Sequence, residues 1–128
     1  MRAQGVLADL VPAYMHRGEA LTAVKADGMA LDYASPELQA DHEVVLAAVR
    51  QDGRALYHAS PELKADREVV LVAVQQKGRA LEYASKELQA NRGVVLVAVR
   101  QDGRALYSAS PELQADRELV WEGVGGEI

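Results

Sequence analysis

Arg54, Arg79 and Arg104 recur at intervals of 25 residues, each directly after a glycine. A guanidinium is permanently charged and offers a planar fork of donors that matches phosphate or carboxylate. Three stacked in a row could grip the phosphates of a single strand, as helical-repeat RNA binders do. Arg67, Arg92 and Arg117 form a second series with the same interval. Rows of like charge repel unless they are paired. Asp52, Asp102 and the glutamates Glu37, Glu62, Glu87 and Glu112 are available to neutralise them. A solvated network of ion pairs is the first expectation, and RNA binding through Arg54, Arg79 and Arg104 is the alternative. A net charge of −5, with only five Tyr and one Trp for stacking on bases, weighs against RNA.

Other chemistry is thinly represented. His16, His42 and His58 fall at three different positions of the repeat and give no metal-ligand spacing. Asp52-Gly53 and Asp102-Gly103 lack the alternating Asp or Asn ligands of a calcium loop, so a helix end explains them better. The four glutamates stand where the first turn of a helix favours a negative charge, which accounts for them without acid–base work. Ser35, Ser60 and Ser110 precede Pro, a pattern open to phosphorylation, yet capping a helix is the stronger use of each hydroxyl. Gly123-Val124-Gly125-Gly126 lacks the flanking strand and helix of a phosphate loop. With no Cys, there is neither a disulfide framework nor a thiol nucleophile. No catalytic residue, metal or cofactor is expected, and the chain reads as non-enzymatic.

These residues are carried by a repeat. The phrases ALDYASPELQAD, ALYHASPELKAD, ALEYASKELQAN and ALYSASPELQAD begin at Ala30, Ala55, Ala80 and Ala105. Full copies run over 41–65, 66–90 and 91–115. Residues 1–40 hold an N-terminal cap and a degenerate copy from His16, and 116–128 form a half copy. Each copy opens on Asp41, Asp66, Asn91 or Asp116, side chains able to accept from a free amide of a helix's first turn. Gly53, Gly78 and Gly103 follow about ten residues later and read as left-handed helix stops. The spacing predicts a helix over about 42–51, with Val44, Val45, Leu46, Ala48 and Val49 covering about 200° of its circumference, wider than the stripe of a surface helix. Such a helix needs neighbours on two sides. Arg54 to Ala59 has room for a short second helix with Ala55, Leu56 and Ala59 inward. Ser60-Pro61-Glu62-Leu63 starts a final single turn anchored by Leu63. The Val-rich run also contains strand formers, but the cap, the glycine and the Ala content favour helix. No copy can bury its apolar face alone, so the copies must stack. The fold class is all-α, a short helical-repeat solenoid.

The phrases D-R-E-V-V-L-x-A-V, Q-D-G-R-A-L and A-S-P-E-L resemble the repeat family catalogued as domain of unknown function 4116, whose unit spans about two of these copies. The resemblance extends from His16 to Trp121 and implies a helical repeat without an assigned activity. A doublet is visible within the chain: Tyr33 and Tyr83 share one position, and Tyr57 and Tyr107 share the one before it. Departures are Gly93 in place of Glu43 and Glu68, Lys77 in place of Asp52 and Asp102, and Lys86 in place of Pro61 and Pro111.

Fixed positions build the core, so the variable ones are free to read a partner: Arg50, Gln75 and Arg100; His58, Tyr83 and Ser108; Lys64, Gln89 and Gln114. Tyr57, Tyr83 and Tyr107 add contact area at low entropic cost. Trp121 replaces Leu46, Leu71 and Leu96 and serves either as a lid or as an open apolar end for self-association. The longest uninterrupted aliphatic runs are too short to cross a bilayer, and residues 5–15 are too broken for a signal-peptide core. The composition, 49% hydrophobic and 26% charged, is that of a globular domain, with the cytoplasm as the default compartment. The expected role is a protein interaction module or a structural subunit of a larger assembly.

Overall fold

The computed structural model describes residues 16–124, and every regular element among them is helical. Long helices α1 (Arg17–Ala26), α3 (His42–Gln51), α5 (Arg67–Gln76), α7 (Arg92–Gln101) and α9 (Arg117–Gly123) alternate with one-turn helices. The latter are α2 (Pro36–Gln39), α4 (Pro61–Lys64), α6 (Lys86–Gln89) and α8 (Pro111–Gln114). A 3₁₀ helix follows each of the first four long helices, at Gly28–Tyr33, Gly53–His58, Gly78–Tyr83 and Gly103–Ser108. The short second helix of each copy is thus 3₁₀, and the last turn is α.

Capping follows the sequence closely. Asp41, Asp66, Asn91 and Asp116 accept from backbone amides in the first turns of α3, α5, α7 and α9. Ser35, Ser60, Ser85 and Ser110 accept from the amides of Leu38, Leu63, Leu88 and Leu113. Each serine hydroxyl therefore has the structural employment expected of it.

Long helix stacks on long helix and 3₁₀ helix on 3₁₀ helix, each against its counterpart one copy away. The wide apolar arc of α3 is used in full: Val44, Val45, Ala48 and Val49 are completely buried, and Leu46 nearly so. One continuous core results, with Leu31, Leu56 and Leu81 beneath the 3₁₀ row and Leu38, Leu63 and Leu88 beneath the one-turn helices. Burial of one such aliphatic side chain contributes about 1.5–3 kcal/mol, so stacking supplies most of the driving force.

Polar bonds fix the register between copies. The amides of Ser60, Ser85 and Ser110 donate to the carbonyls of Gln39, Lys64 and Gln89, at 2.9 Å each. The side-chain oxygens of Gln51, Gln76 and Gln101, at the ends of α3, α5 and α7, accept from the amides of Gly28, Gly53 and Gly78 in the preceding copy.

These glycines correct the expectation of left-handed stops. The long helices end at Asp27, Asp52, Lys77 and Asp102 in extended conformation, and none of Gly28, Gly53, Gly78 and Gly103 has a positive φ. What excludes a side chain is proximity. A Cβ on Gly53 would lie 2.5 Å from the carbonyl oxygen of Ala73 in the next copy, and Gly28, Gly78 and Gly103 face Ala48, Ala98 and Gly123 in the same way. The glycine is where one copy's backbone rests on the next.

Candidate functional site

The 3₁₀ helices display the predicted arginine row, and the structure shows how its charge is distributed. Asp52 caps the second 3₁₀ helix through the Arg54 amide at 3.0 Å and also grips the Arg54 guanidinium at 2.7 Å. Asp102 treats Arg104 identically, with 3.0 Å to the amide and 2.9 Å to the guanidinium. The side-chain bond to its arginine, above all, holds each carboxyl below its ordinary range. Both pairs are local and half solvated, so each cancels one positive charge while contributing little stability.

The third copy breaks this pattern. Lys77 replaces the aspartate, leaving the 3₁₀ helix Gly78–Tyr83 without a side-chain cap. Among the described residues, neither Lys77 nor Arg79 has an ion-pair partner. Their field still reaches the neighbours: Lys77 helps keep Asp52 ionised and Arg79 does the same for Asp102. The unneutralised pair lines an open groove of about 400 Å³ with Arg54, Glu82, Tyr83, Gln101, Asp102 and Arg104. Counting Asp52 on Arg54, four cations there face three carboxylates. Of the three predicted arginines, only Arg79 is therefore unpaired. Lys77, visible in the sequence merely as a change of surface charge, is what makes the groove basic.

The tyrosine doublet acquires a geometric meaning. Tyr57 lies edge-on to Tyr83 of the next copy, with ring centroids 5.3 Å apart at 69°, a favourable aromatic arrangement. The Lys64 ammonium sits 5.4 Å above the Tyr57 ring. Burial, and secondarily the Glu82 carboxylate, raises the Tyr83 phenol above its ordinary pKa. Tyr107, with the same residue position as Tyr57, is 83% exposed. Tyr83 thus lines the groove with Tyr57 packed against it, whereas Tyr107 stands apart.

Two of the remaining expectations change. Gln89 is buried, its amide donating to the carbonyls of Leu81 and Glu82, so it braces its own copy and cannot read a partner. None of Glu37, Glu62, Glu87 and Glu112 joins an ion pair among the described residues; Asp52 and Asp102 carry the neutralisation instead. Trp121 is 44% exposed, beside Val120 and Val124, whose counterparts Val45, Val70, Val95, Val49, Val74 and Val99 are buried in the stack. Among the described residues it presents an apolar surface.

The other cationic series occupies the first position of the long helices, and of Arg67, Arg92 and Arg117 only Arg92 joins an ion pair among the described residues; Arg17 is paired in the same way across copies. Arg17 bonds Asp41 and Glu43, and Arg92 bonds Asp116 and Glu118, residues 24 and 26 positions later. His42 stands at this position in the second copy and faces Asp66 and Glu68. Arg67 faces Asn91 and Gly93, where both acids have been lost.

A helical-repeat solenoid with a mixed-charge outer row is the class these features define. The family model described as Domain of unknown function (DUF4116) matches residues 19–64, 41–89 and 91–124, and the chain belongs to that family. The first two matches each embrace about two copies and overlap, starting about one copy apart. No curated protein and no solved structure gives a match.

Proposed function

We propose that the chain is a non-enzymatic interaction module that holds an acidic segment of a protein partner along its 3₁₀ face. The carrying observation is the interruption at Lys77, which leaves Lys77 and Arg79 without carboxylate partners in an open groove walled by Tyr83. Elsewhere the row cancels its own charge, so the attraction is confined to one junction. A localised pair of cations beside an aromatic wall suits a short acidic peptide, whose carboxylates an arginine fork can bind two at a time. A continuous strand of phosphates would need free charge along the whole row, and Arg54 and Arg104 are already occupied by Asp52 and Asp102.

The test is fluorescence anisotropy with a labelled oligoglutamate peptide and, in parallel, a labelled oligouridine of equal length at two salt concentrations. Peptide binding is expected to fall with salt and to weaken about tenfold or more in Lys77→Asp, which installs the residue of the neighbouring copies and supplies the side-chain cap that this 3₁₀ helix lacks. Unchanged peptide affinity in that variant refutes the assignment. So does a clear preference for the RNA.

A further inference from the structure

We propose that His42, Asp66 and Glu68 form a binding site for zinc or a similar late first-row divalent cation. It lies at the N-terminal ends of α3 and α5, about 15 Å along the helix from the basic groove, and is independent of the peptide reading.

The argument begins with the cross-copy ladder. At two junctions a guanidinium bridges the capping aspartate and the glutamate two residues beyond it. At the junction after His42 both acids are retained and the cation is replaced by an imidazole, a side chain that can ligate a metal as a guanidinium cannot. At the remaining junction Arg67 meets Asn91 and Gly93, and no carboxylate is left. Only the second junction thus combines an imidazole with two carboxylates. It is also where, among the described residues, donors suited to a metal converge, with the ligand atoms of all three side chains within 4.8 Å of one another.

The distances are compatible with coordination. His42 Nε2 lies 3.2 Å from Glu68 Oε1 and 3.5 Å from Asp66 Oδ2. A tetrahedral zinc with bonds of about 2.0–2.1 Å requires its donor atoms about 3.3–3.4 Å apart. Asp66 is held in place from behind, because its Oδ1 accepts from the Val69 amide at 3.1 Å while Oδ2 points to the imidazole. Such an outer bond fixes a ligating carboxylate. All three side chains are partly exposed, so an ion enters directly and keeps one position for water. One nitrogen and two carboxylate oxygens suit zinc and its neighbours. They are too few and too nitrogen-rich for calcium, which takes six to eight oxygens. A dication also meets the charge demand of the junction, supplying the positive charge that arginine supplies at the first and fourth copies.

The experiment is calorimetric titration of the full chain with zinc chloride in chelator-treated buffer at neutral pH, with proton NMR of the His42 ring in parallel. One equivalent is expected to bind with a shift of the His42 ring signals. His42→Arg, which restores the ladder residue used elsewhere, should abolish that event, and Glu68→Gln should weaken it about tenfold or more. Zinc should raise the melting temperature of the parent chain and not that of His42→Arg. Absence of saturable binding at millimolar zinc overturns the proposal, as does binding that survives His42→Arg or is indifferent to Glu68→Gln.

Discussion

Gly53→Ala adds one methyl group, and the structure states where that group must go. Its carbon would stand 2.5 Å from the Ala73 carbonyl oxygen and 3.1 Å from Gln76 Oε1 and Lys77 Cβ, whereas ordinary contact begins at 3.4 Å. The shortfall of about 0.9 Å is against backbone, so it cannot be relieved by rotating a side chain. The copies must part locally, and a gap of this size forfeits a quarter to a half of each van der Waals contact it opens. Overpacking of this kind costs about 1–3 kcal/mol, and loss of the Gly53 amide bond to Gln76 adds about 1 kcal/mol. Destabilisation of about 3 kcal/mol follows, worth roughly 10–15 °C in melting temperature for a domain of this size. The assay is thermal unfolding by circular dichroism of the parent, Gly53→Ala and Gly53→Asn. A left-handed helix stop would tolerate asparagine better than alanine. A close approach makes asparagine at least as damaging. An alanine variant within about 1 °C of the parent, or an asparagine variant more stable than the alanine one, would refute the reasoning.

Gly93 offers the opposite case, for an added Cβ there is 3.4 Å from Asn91 Oδ1 and 3.5 Å from an Arg67 nitrogen. Gly93→Glu combined with Asn91→Asp restores the acids facing Arg67, and better helix propensity with a first-turn carboxylate should stabilise the chain by about 1 kcal/mol. A chemical denaturation midpoint that fails to rise counts against that account. In acid, Asp41, Asp52, Asp102 and Asp116 share one behaviour. Their arginine partners lower the folded-state pKa beneath the ordinary aspartate value of about 3.9. Their contribution is therefore full above that value and disappears as pH falls through the lower folded ones. Melting temperature should decline below about pH 4, and the decline should shrink in Arg54→Gln with Arg104→Gln. An unchanged acid limb would show that these pairs do not govern it.

Local chemistry made much of this architecture readable in advance. A cap such as Asp41 or Ser60 acts within three residues of itself, so its role follows from type and position alone. The apolar arc of α3 likewise announced a helix enclosed on two sides. What stayed hidden depends on the distance between copies. Gly53 looks like a helix stop in sequence because its reason for being glycine lies at Ala73, one stack away. His42 has no histidine neighbour at ligand spacing, and its partners come 24 and 26 residues later on the next helix. Lys77 matters through what it fails to neutralise, a consequence visible only once Asp52 and Asp102 are seen holding their own arginines. A search for signals at one repeat length plus or minus one residue would have found the second of these.

The glutamine-to-glycine bonds make the stack self-reporting. The amides of Gly28, Gly53 and Gly78 are each covered by a side chain borrowed from the following copy, through Gln51, Gln76 and Gln101. Deuterium uptake at any one of them therefore times the undocking of a single neighbour, apart from the fraying of the helix that carries it. Three native probes thus read three successive seams, and the order in which they exchange gives the sequence in which the array comes apart.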